Sequence, residues 1–366
     1  MNEAEILRIA KRFGITDPIV ETEHVTNGHI NLTYLVTFGS KRYIVQKINR
    51  YVFGNPEAVM NNIDCVTHFL RKKIREDGGD PERETLRFLR DENGKNYIVN
   101  DDGSFWRISV YIDGTTAYNS VEDIRMLYNA GVSFGLFQKR LADFPMDKIT
   151  ETIEDFHNTP KRIDVLFDTI KKDPCNRVNS VKDEIEFFVS RRTKAGKIVR
   201  LQQEGQIPLR VTHNDTKYNN ILIDKKTYEA VCVIDLDTVM PGISCYDFGD
   251  AIRFAASTAA EDETDLDKVS LNMDYFRAFT EGFIGGSQGF FTDKEIECMA
   301  LGAINITIEL AARFLTDYLC GDLYFKTSRE NHNLDRARNQ IKLVCDMENK
   351  YNEMQSIVFK NYKKCK

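Results

Sequence analysis

No run of about 18 uninterrupted apolar residues occurs in this 366-residue chain, so no membrane-spanning helix is expected of it. Its first residues, Met1-Asn2-Glu3-Ala4-Glu5, lack both the basic and the apolar segment of a secretory leader, which makes a cytoplasmic location the expectation. Cysteine occurs eight times (Cys65, Cys175, Cys232, Cys245, Cys298, Cys320, Cys345, Cys365), never as Cys-x-x-Cys and mostly within apolar runs, so reduced structural thiols are expected. Six scattered histidines form no ligand pair at helical spacing, which argues against zinc. Positive charge is not in excess either. Lys and Arg number 50 against 56 Asp and Glu, a formal net charge of −6 with the signs well mixed. No nucleic-acid face is therefore expected, and the basic end Lys360 to Lys366 reads as a solvated terminus. Repeats and low-complexity tracts are absent, and the one charge-dense loop runs from Ala260 to Lys268.

What the chain does have is an apolar fraction of 42%, ample for ordinary cores in roughly two domains. Residues 3–13 read as an amphipathic helix with Ile6, Leu7, Ile9, Ala10 and Phe13 inward. Alternating β-branched and aromatic residues then predict strands at Ile19 to Val25, Leu32 to Thr37 and Tyr43 to Ile48, with turns at Asn27-Gly28 and Gly39-Ser40. A helix from Pro56 to Arg75 follows, stopped by Gly78-Gly79. Further strands are expected at Thr85 to Leu89, Asn96 to Val99 and Phe105 to Ile112. From Ser120 the periodicity is helical, with long helices expected over 121–141, 178–203, 272–284, 293–319 and 333–359. The expected fold is α+β in two lobes: a small antiparallel sheet lobe over residues 1–112 and a larger, mainly helical lobe over 113–366, with the crossover near Val110 to Gly114.

The chemistry concentrates in Thr212-His213-Asn214-Asp215-Thr216-Lys217-Tyr218-Asn219-Asn220. Gln203 to Pro208 breaks the preceding helix, and Leu209-Arg210-Val211 leads into the segment. After it, Ile221-Leu222-Ile223, a polar turn from Asp224 to Glu229, and Val231 to Ile234 form a hairpin that sets Asp235 at a strand end. If that strand persisted, Asp237 would share its face and could support it from behind. In kinase catalytic loops an Asp accepts the acceptor hydroxyl's proton, an Asn five residues later holds a metal, and an Asp after a short hairpin bridges Mg²⁺ to the phosphates. Asp215, Asn220 and Asp235 follow that order, and Lys217 stands where a cation can meet the transferring phosphoryl group. Each residue alone has a plainer reading as a turn or surface residue; their co-occurrence at these offsets points to Mg²⁺-dependent phosphoryl transfer from ATP.

Downstream, Asp247-Phe248-Gly249 spells the protein-kinase metal motif but lies too far along the chain. Asp247 is expected to cap the helix around Ala251 to Ala255 or to hydrogen-bond the catalytic loop, and Asp250 to serve the scaffold. For the nucleotide, the crossover at Tyr111, Ile112 and Asp113 is expected to read adenine, and the turn containing Asn27, Gly28 and His29 to cover the phosphates. No Gly-x-Gly-x-x-Gly string is present, and that turn alone would be an ordinary hairpin. The third strand offers Gln46, with Lys47 beside it, where kinases of this plan carry a phosphate-pairing lysine.

Leu209 to Lys217, Asn219-Asn220-Ile221-Leu222 and Ile234-Asp235-Leu236-Asp237-Thr238 resemble the aminoglycoside phosphotransferase and choline kinase superfamily. Together with Asn27 to Asn31, Asp247 to Phe254, Arg313 to Leu319, Gly321-Asp322 and Tyr324-Phe325, they are similar, more narrowly, to its N-acetylhexosamine 1-kinase group. That resemblance implies a protein-kinase-like fold and ATP- and Mg²⁺-dependent phosphorylation of the anomeric hydroxyl of GlcNAc or GalNAc. It implies Asp215 as base, Asn220 and Asp235 on the metal, and Thr238, Arg313 and Tyr324, with Asp215, along the sugar. Read from the residues alone, Arg313 could instead pair with Asp317, and Tyr324 could staple a helix end. Two rivals stay open: the same chemistry on an aminoglycoside, an amino alcohol, homoserine or a thiosugar, and a catalytically inactive kinase fold used for binding.

Overall fold

In a computed structural model, which describes residues 3–25, 31–50 and 53–366, the first part of the chain forms a five-stranded antiparallel sheet. Helix α1 (Glu3–Arg12) precedes strands β1 (Ile19–Val25), β2 (Leu32–Phe38) and β3 (Lys41–Ile48); helix α2 (Pro56–Glu76) separates these from β4 (Ile98–Val99) and β5 (Phe105–Val110). The sheet order is β1-β2-β3-β5-β4. Strand alternation divides its side chains between two faces. Tyr34, Val36, Phe38, Val45, Trp106 and Ile108 join Ile6, Ile9, Ala10 and Phe13 of the α1 segment in one small core. The opposite face, carrying Thr33, Gln46 and Arg107, looks toward α2 and the second lobe.

The segment Thr85 to Leu89, expected as a strand, makes a single bridge, Phe88 to Ser109. One edge of β5 serves two segments: β4 pairs with Phe105 and Trp106, which leaves Phe88 only the far end. Strand β5 ends at Val110, one residue past that bridge, so the pairing cannot lengthen in that direction.

The remainder comprises β6 (Thr115–Thr116), α3 (Ile124–Arg140), α4 (Thr159–Lys172), α5 (Lys182–Ala195), α6 (Lys197–Gln203), β7 (Arg210–Thr212), β8 (Ile221–Asp224), β9 (Ala230–Val233), β10 (Met240–Gly242), α7 (Ser244–Ala255), α8 (Met273–Ser287), α9 (Asp293–Leu319) and α10 (His332–Cys365). Two small sheets, β7-β10 and β6-β8-β9, sit among these helices. The helix expected over 178–203 is divided at Gly196 into α5 and α6, where glycine lowers helix propensity. Helix α4 was not expected, although its start has a clear signal: Asn158 caps Lys161 N–H and Pro160 occupies the first turn. Helix α9 is long and apolar enough to cross a membrane by composition, but 83% of its most apolar window is buried inside the protein, as in a core helix.

Helices α3 and α8 meet backbone to backbone. A Cβ on Gly282 would lie 2.0 Å from the Tyr128 carbonyl oxygen, and one on Gly135 would lie 2.1 Å from that of Phe283. Neither helix can accept a methyl group there without separating. Gly282→Ala should therefore destabilise the protein by about 1–3 kcal/mol, measured as a lowered midpoint of denaturant unfolding. An unchanged midpoint would mean that the helices part at no cost.

Candidate active site

Strand β7 ends at Thr212 and pairs with β10, so the chain leaves the sheet as a buried loop at His213 and Asn214. Two amide groups there point away from any ladder, and Asp247 accepts both: His213 N–H at 2.9 Å and Asn214 N–H at 2.8 Å. Asp247 does not cap its helix. Helix α7 begins at Ser244, three residues earlier, and the carboxylate is directed at the loop instead. Burial pushes the Asp247 carboxyl up, against the opposing pull of His213 and the two amides. Asn214 takes a left-handed backbone (φ 64°), held by its side-chain bonds to the Thr212 and Thr238 carbonyls. His213 accepts Asp215 N–H on Nδ1 at 3.2 Å and donates from Nε2 to the Ile234 carbonyl at 2.8 Å, tying the loop to the hairpin.

Asp215 emerges from this frame between two donors. Lys217 Nζ lies 2.8 Å from Oδ1, and Asn220 Nδ2 donates to Oδ2 at 3.0 Å. Burial drives the carboxyl up, but the Lys217 ammonium and these hydrogen bonds outweigh it and hold it below the ordinary carboxylate range. Burial pulls the Lys217 amine down, and Asp215 and Asp250 more than reverse that. The Ile234 N–H bond to the Asn220 carbonyl (2.9 Å) brings Asp235 beside the loop. Asp235 itself is left-handed (φ 58°) and opens a short 3-10 turn over Leu236–Thr238, so the strand stops there. Strand alternation consequently does not govern Asp237.

Asp237 is swung by that turn onto the first lobe. Asn31 Nδ2 donates to its Oδ2 at 2.6 Å, and the buried guanidinium of Arg107 pairs with its Oδ1. Burial pushes the Asp235 carboxyl up to about 6, with the Asp237 and Asp215 charges adding to the rise and Arg107 opposing it. Among the described residues no group of three or more His, Cys, Asp or Glu side chains forms a complete metal cage. Asp235 and Asn220 could supply two protein oxygens to a nucleotide-bound Mg²⁺, an ion that takes its other ligands from phosphate and water. The carboxylate excess that raises Asp235 is relieved by such a cation, so the residues fit the group.

The other expected positions fall as follows. Asn27, Gly28 and His29 lie outside the described residues. Gln46 faces the cleft, donating to Thr33 Oγ1 and accepting from Arg107 Nε at 2.9 Å. Lys47 is on the opposite face, over the Trp106 ring. At the crossover, Tyr111 N–H is occupied by the Arg42 carbonyl, and the Ile112 carbonyl by Thr115 Oγ1. Among the described residues no hydrogen bond reaches the Tyr111 carbonyl or the Ile112 N–H. Thr238 is buried, and its hydroxyl donates to the His213 carbonyl at 2.7 Å, a tie to the loop.

Arg313 makes no ion pair with Asp317, whose oxygens accept the N–H groups of Leu323, Tyr324 and Phe325. It lies instead among the rings of Phe156, Tyr324 and Phe325, at 5.5–6.0 Å from each centroid. Arg162 stands close by: burial lowers its guanidinium's affinity for the proton, and the Arg313 charge lowers it further. Next to Phe156, His157 bridges Glu309 (2.9 Å) and the Asn214 carbonyl (2.9 Å). Burial opposes its protonation, and Glu309 prevails, raising its pKa. The rings and arginines are thus joined to the Asp215 loop through one residue. Sequence reasoning missed Arg107, Phe156, His157 and Arg162. For Arg107 a signal existed, a charge inside the apolar strand Phe105–Val110; Phe156 and His157 on their loop and Arg162 on α4 offered none.

The fold has known counterparts. A model of the phosphotransferase enzyme family matches residues 21–278, well over half the chain. Among solved structures, an aminoglycoside phosphotransferase from Alicyclobacillus acidocaldarius superposes with a TM-score of 0.60 at 11% identity, covering 97% of this chain and 96% of its own. A microcompartment-associated aminopropanol kinase gives 0.57 at 14% identity, over 97% and 99% of the two chains. A choline kinase from Cryptosporidium parvum gives 0.56 at 13% identity, over 97% and 98%. At such identities the likeness is one of fold, a small antiparallel sheet beside a larger helical region. With the family match spanning sheet, loop and hairpin alike, the chain belongs to the phosphotransferase enzyme family.

Proposed function

We propose that this protein transfers the γ-phosphoryl group of ATP, with Mg²⁺, to the anomeric hydroxyl of an N-acetylhexosamine. The observation that carries the acceptor class is the cluster tied to the Asp215 loop through His157: Arg313 among the rings of Phe156, Tyr324 and Phe325, with Arg162 close by on the Phe156 carbonyl. A polycationic aminoglycoside or a quaternary amino alcohol would meet like charge there. A neutral sugar with an acetamido oxygen meets planar donors and rings suited to its faces. The resemblance of Arg313 to Phe325 to the hexosamine kinases supports the same class.

In this reading, Asp215 orients the sugar hydroxyl and takes its proton as the bond to phosphorus forms. An anomeric hydroxyl is more acidic than an ordinary alcohol, which suits a base whose carboxyl is held low. Lys217 neutralises Asp215 in the resting site. Drawn toward the phosphates, it would leave the carboxylate more basic at the moment of transfer. Asp235 and Asn220 would hold the metal, which when bound supplies positive charge to the phosphate oxygens. Asp247 and His157 keep the loop backbone in place beneath Asp215, and the Tyr111 carbonyl and Ile112 N–H would read the base. The lobes divide near residues 112 and 113, so the crossover lies between sheet and loop. No covalent enzyme intermediate is needed, since donor, acceptor and base meet in one cleft.

The test is ADP release with Mg-ATP against a panel of GlcNAc, GalNAc, homoserine, choline, ethanolamine and an aminoglycoside. Turnover should be greatest with the N-acetylhexosamines, and a preference for a cationic acceptor would overturn the reading. Arg313→Ala should raise the sugar KM about tenfold or more while leaving the ATP KM within about twofold, as expected for one lost charged hydrogen bond. Equal effects on both would place Arg313 in the scaffold.

A further inference from the structure

We propose that Arg107 is the first lobe's phosphate-facing cation, carried on β5 in place of a lysine on β3. The inference rests on the nucleotide reading above but not on the identity of the acceptor. Kinases of this plan send a lysine from the third strand to the α- and β-phosphates. Here that slot holds Gln46, and Lys47 turns to the other face of the sheet. Gln46 and Arg107 are register partners on adjacent strands, so their side chains stand side by side on the cleft face.

Four contacts aim the guanidinium. Nε donates to Gln46 Oε1 at 2.9 Å, Nη1 pairs with Asp237 and touches Met60 Sδ of α2 at 3.7 Å, and the group lies over the Phe88 ring. Among the described residues no hydrogen bond reaches Nη2, so the outer edge of the fork is uncommitted. The Arg107 side chain is only 3% exposed and is held by Asp237, two residues along the chain from Asp235, the residue that would hold the metal. A buried guanidinium beside the metal carboxylate, with one free donor pair, is arranged to receive a phosphate oxygen. Its fork can bond the carboxylate and the phosphate together, which a lysine's point charge does less well. Asp237 in this arrangement is a positioning residue, holding Arg107 across the cleft together with Asn31.

Calorimetric titration without acceptor separates the possibilities. Arg107→Gln should bind Mg-ATP about tenfold or more weakly while binding adenosine within about twofold of the unsubstituted protein, because only the phosphates meet the lost charge. Gln46→Lys combined with Arg107→Gln returns a cation to the same slot and should recover Mg-ATP affinity to within about threefold. A folded Arg107→Gln protein that loses adenosine and Mg-ATP equally, or loses neither, would overturn the proposal. Should Arg107→Gln fail to fold, the double variant decides: normal adenosine binding with no recovery of Mg-ATP binding would also overturn it. Asp235→Asn run in parallel isolates the underlying reading. If it leaves Mg-ATP affinity unchanged, the metal assignment fails, whatever Arg107 does.

Discussion

Asp215→Ala is expected to lower kcat by about 10²- to 10⁴-fold, the range for removing a general base, while the ATP KM changes little. The fold should survive, because the loop's backbone is held from outside Asp215. Asp247 takes the His213 and Asn214 amides, His157 takes the Asn214 carbonyl, and Thr238 takes the His213 carbonyl. The variant also leaves Lys217 without its 2.8 Å partner, so the ammonium is free to meet phosphate. That is why nucleotide binding should hold steady or tighten as turnover collapses. Steady-state kinetics with a circular-dichroism melt checks both halves, and near-normal turnover would remove Asp215 from its role as base.

The second large effect concerns Asp235, where activity and stability are expected to move in opposite directions. Burial and the neighbouring Asp237 and Asp215 charges raise its carboxyl from an ordinary value of 3.8 to about 6. An acid whose pKa is raised by folding favours the folded state when protonated. That contribution is complete below the unfolded value near 4 and is lost as pH rises through about 6. At pH 7.5 the metal-free protein therefore carries an ionised, crowded carboxylate at a cost on the order of 3 kcal/mol. Asp235→Asn removes that charge. Its metal-free Tm at pH 7.5 should rise by a few degrees, and the gain should shrink toward pH 4.5. The same variant should lose the thermal stabilisation by Mg-ATP and about 10²- to 10³-fold in turnover. Scanning calorimetry at the two pH values, with and without Mg-ATP, reads all of this. A lower Tm at pH 7.5 would mean that the carboxylate is held by favourable contacts in the metal-free protein.

The parts of this molecule most legible in the sequence were those under local control. Helix α1, the β1-β2-β3 meander and α9 follow from apolar spacing and turn residues. The hairpin β8-β9 is bounded by its polar turn from Asp224 to Glu229. Where pairing depends on a distant partner, local pattern was silent: the Thr85 to Leu89 segment has strand composition, yet it meets β5 only at Ser109, next to where that strand ends at Val110. Asp247 shows the same limit in a site residue. Its position near a helix start allowed either a cap or a hydrogen bond to the catalytic loop, and the structure shows the second; the choice is decided by the unpartnered N–H groups of a loop thirty-odd residues earlier in the chain. Arg107 and Gln46 illustrate it again, since strand register alone brings them together. The offsets from Asp215 to Asn220 and Asp235 were readable because phosphoryl transfer constrains them along a continuous loop and hairpin. Phe156, His157 and Arg162 reach the site from a separate loop and helix, so no spacing connects them to it.

Phosphorus NMR of the product formed from Mg-ATP and N-acetylglucosamine or N-acetylgalactosamine tests the central claim most directly. The account predicts ADP together with one new phosphomonoester signal split by the anomeric proton. A phosphomonoester coupled to the C6 protons, or no phosphorylated sugar from either substrate with the folded protein, would contradict it.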